Sequence, residues 1–385
     1  MSTVLLSVGD VSGDAYAGDF VGELRALLPD TRFLGMGGGS MREAGVELLV
    51  DQRELATSGL FELLPDLHRI VAAWRRMAAA LHSQRPDLVV LVDSSGFNLP
   101  FARRAFRRGV PTFYYVSPQV WGWRAGRIRK LARVVAKLAV IFPFELEVYA
   151  GSGLSVEYVG HPLVERLEAR RLDRAAARRQ LGVSEQARVV ALLPGSRRAE
   201  LRHILPLHLE VARVLHARDP RIHFLLPRAA SVEPEDLEAG LADAALPSLL
   251  GLDVLDGHSH EALCAADAVL AKPGTSTLEA TLLERPLVVA ARSSRLTAAL
   301  LRRLVALDSF TMPNLLAGEA VVPEFLQEEA RPEDVADAVQ RILEPGGAEQ
   351  QRLRLEGVRE GLRAGGAARR AAAIAAEMLS ERLAS

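Results

Sequence analysis

The sequence predicts an α/β fold of two domains, each a doubly wound parallel sheet. Three observations carry this expectation. Short, strongly apolar runs alternate with helical stretches along most of the chain, the pattern of βαβ units. Turns rich in glycine or hydroxyl residues follow several of these runs, as at the ligand-facing strand ends of such sheets. The alternation breaks at Gly160-His161-Pro162, passes through a charged helical stretch, and restarts. A chain of 385 residues is long for one core and comfortable for two. The expected division is an N-terminal domain over 1–165, a second domain over 166–345, and C-terminal helices over 346–385 that pack across the domains or on a partner subunit.

Composition narrows the class. Hydrophobic residues at 49% and charged residues at 25% are those of a soluble globular enzyme. A formal net charge of −1 supplies no global field for nucleic acid. The single cysteine, Cys264, rules out an internal disulfide and argues against a cysteine-based metal site. The apolar run Val4–Val8 is too short for a signal peptide, and no stretch approaches the roughly 20 apolar residues of a membrane span. A cytoplasmic protein is expected, with any membrane contact peripheral.

In the first half, Val4–Val8 reads as a buried strand. Gly9-Asp10-Val-Ser12-Gly13-Asp14 then turns into a helix ending near Pro29. That corner lacks the full dinucleotide spacing, so no nicotinamide site is assigned. Gly35-Met-Gly-Gly-Gly39 is a second glycine loop, either lining a ligand cleft or simply turning. Over Leu60–Leu81, Leu67, Ile70, Val71, Trp74, Met77 and Leu81 form one apolar helical face. Packing on the domain core is the first reading of that face, and contact with a membrane or acyl chain the second. Asp87–Val92 is a strand with Asp93-Ser-Ser-Gly96-Phe-Asn98 at its carboxyl end, where Asp93 suits either chemistry or helix capping. The strand Pro111–Val116 leads into Ser117-Pro-Gln-Val-Trp121-Gly-Trp123-Arg124. Tryptophans in a loop either cover apolar ligand surface or anchor the loop. Val156–Val159 is the last strand of this half, and His161 is either catalytic or a structural hydrogen-bonding residue.

In the second half, Arg188–Leu193 is followed by Pro194-Gly195-Ser196-Arg197 and a helix to about Ala217. Backbone donors and a guanidinium there could hold a diphosphate. Ile222–Leu226 and Leu252–Leu255 are further strands. Ala266–Val289 reads as strand, Lys272-Pro-Gly turn, helix and strand. Gly274 lets the chain turn, and the N–H groups of Thr275, Ser276 and Thr277 lie at a helix start that accepts phosphate. Glu279, one turn on, can reach a ribose hydroxyl. An ordinary turn capped by Ser276 or Thr277 is the alternative. Met312-Pro-Asn314-Leu-Leu-Ala-Gly318 and Val321-Val-Pro-Glu324-Phe-Leu-Gln327 are loop and short-strand segments bearing amides, and the rest is helical.

Together these pieces resemble the lipid-A-disaccharide synthases, inverting glycosyltransferases of the GT-B fold. The strongest parts are Tyr115-Val-Ser-Pro-Gln-Val-Trp-Gly-Trp-Arg124, Leu193-Pro-Gly-Ser-Arg-Arg-Ala-Glu200 and Pro313-Asn-Leu-Leu-Ala-Gly318. Val322-Pro-Glu-Phe-Leu-Gln327 and the corner at 9–14 add support. The resemblance implies two Rossmann-like domains facing across a cleft. It implies transfer from UDP-2,3-diacylglucosamine to 2,3-diacylglucosamine 1-phosphate, with a β-1,6 disaccharide and UDP as products. Asp93 corresponds to the general base. Gly195, Ser196, Arg197, Gly274, Thr275, Ser276, Glu279, Asn314 and Gln327 correspond to the donor side. Asp10, Ser12, Asp14, Ser117, Trp121 and Trp123 correspond to the acceptor side. No metal and no cofactor are implied. The implied partners are the two sugar substrates, the cytosolic membrane surface and a second copy of the chain. Two departures stand out. Asp93-Ser-Ser-Gly-Phe-Asn lacks the second carboxylate and the proline of the family's Pro-Asp-Phe-Asn, and Lys272-Pro-Gly-Thr adds a cation to the donor loop. A related transferase with another glycolipid acceptor, a UDP-N-acetylglucosamine 2-epimerase and a non-catalytic nucleotide-sugar-binding protein are the alternatives.

Overall fold

The computed structural model describes residues 2–52, 63–118, 126–229, 231–243, 251–294, 309–363 and 365–384. The chain forms two compact units, Met1–Glu165 with Leu362–Ser385, and Arg166–Gly361.

Among the described residues the first unit holds a seven-stranded sheet, paired in parallel throughout, in the order β3-β2-β1-β4-β5-β6-β7. The strands are β1 (Thr3–Val8), β2 (Arg32–Gly37), β3 (Glu47–Asp51), β4 (Leu88–Val92), β5 (Thr112–Tyr115), β6 (Lys137–Val140) and β7 (Ser155–Tyr158). The central strands are covered by helices on both faces and are therefore apolar nearly throughout, Leu88–Val92 being wholly buried. Gly35 in β2 passes so close to the Leu6 carbonyl that a β-carbon would overlap it, which is why glycine stands there. Two strands escaped the sequence reading. β3 is an edge strand with charged ends, and β6 has four residues opened by Lys137.

The helix Leu63–Ser83 turns Ala73, Met77 and Leu81 into the core of this unit. Trp74 meets the rings of Phe97 and Phe101 edge-on at 5.3 and 5.8 Å. Core packing thus accounts for Trp74, Met77 and Leu81 of the apolar face expected over Leu60–Leu81, while Val71 is exposed; residues 60–62 and the Leu67 side chain lie outside what the structure describes. The last helix, Ala367–Ala384, packs on the helix Val11–Leu27. It is tied down where it begins: Ala367 N–H donates to Glu165 at 2.8 Å and Arg370 Nε to the Val159 carbonyl at 2.9 Å. The helix Glu349–Leu362 packs instead in the second unit, where Leu355 is buried and Gln351 bonds both the N–H and C=O of Leu287.

The second unit's described residues hold a six-stranded sheet, β10-β9-β8-β11-β12-β13, again parallel. Its strands are β8 (Arg188–Leu193), β9 (Ile222–Arg228), β10 (Leu252–Asp256), β11 (Ala268–Ala271), β12 (Leu287–Ala291) and β13 (Glu324–Leu326). The charged stretch after His161 is two helices, Pro162–Ala169 and Arg174–Leu181, divided where Asp173 caps the second through the Ala176 N–H at 2.6 Å.

One buried cation organises the amino end of this sheet. Arg178 is fully buried. Its guanidinium donates to the carbonyls of Ala265 (3.0 Å), Glu185 (2.6 Å) and Ala187 (2.9 Å) and to Asp267 (2.8 Å). Asp267 also accepts the Val189 N–H at 2.8 Å and pairs with Arg174 at 2.5 Å. Removing the guanidinium leaves the carbonyls of Ala265, Glu185 and Ala187 without this donor, and a buried acceptor left unsatisfied costs about 1–3 kcal/mol. Urea unfolding of Arg178→Ala is expected to show that loss as a lowered midpoint at unchanged slope.

Candidate active site

In a parallel sheet the strand ends that face ligand are the carboxyl ends. In the first unit, β1 opens into the Gly9–Asp14 corner. Asp10 caps the following helix through the Gly13 N–H at 2.6 Å. Asp14 is buried, and its carboxylate accepts the N–H groups of Gly38 (2.6 Å), Ser40 (2.9 Å) and Met41 (3.3 Å). Its described bonds bind the second glycine loop to the first, while Ser12 is exposed on the same corner. Asp93 follows β4 directly, half-buried, with φ of 45°, and its N–H donates to the Val116 carbonyl across to β5 at 3.2 Å. Ser117, buried at the end of β5, shares a 2.6 Å hydrogen bond with the Tyr149 hydroxyl. Trp121 and Trp123 lie outside the described residues.

His161 is buried between Tyr16 and Phe142, with ring centroids at 6.0 and 5.1 Å. Its Nδ1 accepts the Leu163 N–H at 3.1 Å, which puts the ring proton on Nε2. Burial lowers its pKa to about 3, too weak a base for proton transfer near neutrality. The structural reading of this histidine fits; the catalytic one does not.

In the second unit the corners after the neighbouring strands β8 and β11 come together. Glu200, on the helix Arg198–Arg218, accepts the Ser196 N–H at 2.9 Å with one oxygen and pairs with Lys272 at 2.8 Å with the other. Gly195 and Gly274 have φ of 135° and 146°. A β-carbon on Gly195 would strike the Glu200 side chain, and one on Gly274 would sit 2.8 Å from the Lys272 ammonium. Both glycines thus make room for one ion pair. Arg197 is exposed beside it. On the helix Thr275–Leu282 the Ser276 hydroxyl oxygen is buried with no hydrogen-bond partner among the described residues. Burial alone raises Glu279 to about 7.

The two amides have internal duties. Asn314 donates to the Val322 carbonyl (2.8 Å) and Glu324 (2.7 Å), and accepts the N–H groups of Val321 (2.8 Å) and Val322 (2.7 Å). That uses all four bonds an amide side chain can make, so Asn314 shapes the loop. Gln327, at φ of 57°, spans to Ser293, donating to its hydroxyl at 2.7 Å and accepting its N–H at 3.2 Å.

The sequence profile of the lipid-A-disaccharide synthetases matches residues 4–377. The lipid-A-disaccharide synthase of Trichlorobacter lovleyi is 40% identical over 379 residues, 98% of each chain. The chain belongs to this family. Its architecture is the GT-B fold, and the enzyme is a glycosyltransferase. Among solved structures, the calicheamicin glycosyltransferase CalG4 superposes with a TM-score of 0.61 at 16% identity, over 100% of this chain and 99% of that one. The UDP-GlcNAc 2-epimerase from Neisseria meningitidis bound to UDP-GlcNAc superposes with a TM-score of 0.62 at 12% identity, over 98% and 99%. Both likenesses are of fold.

Family motifs drew attention to Arg197 and the Pro-Gly-Thr turn, but Glu200 was not singled out as a partner of either. It lies 72 residues from Lys272, and only the adjacency of β8 and β11 joins them. The acidic limb of stability is testable at His161. Between its unfolded value of 6.5 and about 3, the unfolded state binds a proton that the folded state does not. Its contribution is therefore full above pH 6.5 and is lost on acidification toward pH 3, at about 1.4 kcal/mol per pH unit. His161→Gln, which keeps an acceptor for Leu163, should shrink the difference between thermal melts at pH 7 and pH 5.

Proposed function

We propose that the enzyme transfers the 2,3-diacylglucosaminyl group of its UDP derivative to the 6-hydroxyl of 2,3-diacylglucosamine 1-phosphate. Transfer inverts the anomeric centre, and the products are the β-1,6-linked disaccharide 1-phosphate and UDP. The observation that carries this reading is the end-to-end family match at 40% identity, because it includes both the Asp93 corner and the donor-side corners. Fold alone does not choose between transfer and epimerisation, since structures of both kinds superpose equally well.

Asp93 takes the proton of the acceptor hydroxyl while that oxygen attacks the anomeric carbon. The bond from the anomeric carbon to the diphosphate oxygen breaks, and its electron pair leaves with UDP. The growing charge meets Arg197 and the N–H groups of Thr275 and Ser276 at the helix start, dipoles fixed before the reaction begins. Ser276 supports this assignment, because a buried hydroxyl with no partner is one that a phosphate oxygen satisfies. Glu279 holds the ribose. No metal is required in this scheme, the protein's own dipoles and cations taking its place. Among the described residues no helix is long and apolar enough to cross a membrane. Acylated substrates are then met by peripheral contact at the cytoplasmic membrane face.

The test is UDP release in the presence of a chelator, with UDP-diacylglucosamine offered with and without diacylglucosamine 1-phosphate. Release that needs both, with a disaccharide found by mass spectrometry, is the expected result; epimerised UDP-sugar without an acceptor would sink the proposal. Asp93→Asn should lower kcat about 100-fold or more with little change in donor KM, the signature of lost proton transfer. Arg197→Ala should weaken both UDP binding and turnover. Glu279 supplies a pH test. A ribose hydroxyl donates to the ionised carboxylate, so calorimetry should find UDP binding tighter above pH 7 than below it, and Glu279→Gln should remove that dependence.

A further inference from the structure

We infer that Tyr114 and Asn98 are positioning residues for Asp93: they fix its peptide in a left-handed turn and so set the direction in which its carboxylate leaves β4. The inference rests on the reading of Asp93 as the base and identifies what aims it.

The starting point is local strain. Asp93, Ser94 and Val116 have φ of 45°, 44° and 64°, and none is glycine. Left-handed backbone at such residues is strained and persists only where the surroundings over-determine it. A β-branched residue such as Val116 is a marked outlier there. The crowding is mutual, since a β-carbon on Gly9 would overlap the Ser94 side chain.

The over-determination is buried beneath the turn. Asn98 is fully buried, and its Oδ1 accepts the Ser7 hydroxyl at 2.6 Å. Its Nδ2 lies 3.2, 3.0 and 2.9 Å from the carbonyls of Ser7, Val92 and Asp93, so two N–H groups bridge the ends of β1 and β4. Tyr114, fully buried in β5, donates its hydroxyl to the same Asp93 carbonyl at 2.5 Å. Both lone pairs of that carbonyl are engaged, from two different elements. Burial pushes the Tyr114 phenol well above its ordinary pKa, with the Asp93 charge adding to the effect, so the donor keeps its proton across the assay range.

Starting the helix Ser95–Phe106 does not call for this arrangement. The N–H groups of Phe97 and Asn98 already reach the Ser94 carbonyl at 3.1 and 2.9 Å, and the Tyr114 hydroxyl takes no part. What the hydroxyl holds is the orientation of the Asp93–Ser94 peptide. The side chain of Asp93 leaves the backbone one bond away, and misplacing a reacting group by about 1 Å can cost on the order of a hundredfold in rate.

Tyr114→Phe removes one oxygen and keeps the ring in the core. It should lower kcat about ten- to a hundredfold, leaving the KM of both substrates and the affinity for UDP unchanged. In an Asp93→Asn background the same substitution should make no further difference, because nothing remains to be aimed. Ser7→Ala, which releases only Asn98 Oδ1, should give a smaller loss of the same kind; it decides the matter if Tyr114→Phe melts far below the wild type. A full kcat in Tyr114→Phe alongside an inactive Asp93→Asn overturns the inference and leaves the base assignment standing. Equal losses in the two backgrounds also overturn it, because Tyr114 would then act elsewhere. A wild-type rate in Asp93→Asn removes the base assignment and this inference together.

Discussion

The interaction on which both units depend is a side-chain carboxylate accepting backbone N–H groups at a strand's carboxyl end. Where a parallel strand stops, the next amides lose their ladder partners, and burying them unpaired is costly. Asp14 gathers Gly38, Ser40 and Met41; Glu145 takes Ile141 and Phe142; Glu200 takes Ser196. Each carboxylate turns a loop that glycine alone would leave loose into one with a fixed shape. Such bonds are charge-assisted and roughly twice as strong as neutral ones. The cost is that these carboxylates have less left to offer a substrate.

The same constraint sorts acidic residues by role. Asp14 and Glu145 are committed to amides, whereas burial alone governs Glu279, which is raised to about 7. A carboxyl left to burial alone can change charge near neutrality. Ligand-facing chemistry therefore belongs to the less committed groups, and shape belongs to the others.

Much of the architecture was legible in the sequence because parallel strands buried on both faces write themselves as unbroken apolar runs. β1, β4, β8 and β11 are of that kind. The runs that failed to show were β3, with glutamate and aspartate at its ends, and β6, opened by Lys137. The site was half legible. Corners following strands could be found, but an amide in a loop reads alike whether it meets ligand or its own chain, so Asn314 resembled a ligand group until its four bonds were seen. Glu200 with Lys272, and Tyr114 with Asp93, are pairings across neighbouring strands, which no local spacing encodes. The left-handed turn at Asp93 was equally hidden, because it is imposed by Asn98 and Tyr114 against the preference of the residue itself.

The return of the last helix, Ala367–Ala384, to the first unit bears on how the protein is made. A ribosome releases the chain from its amino end, so the first unit's sheet emerges early but lacks the helix that covers part of Val11–Leu27. The second unit, Arg166–Gly361, is uninterrupted in the chain and can close as soon as it has emerged. Val159 and Glu165 meanwhile wait some 200 residues for Arg370 and Ala367. The unit begun first is thus finished last.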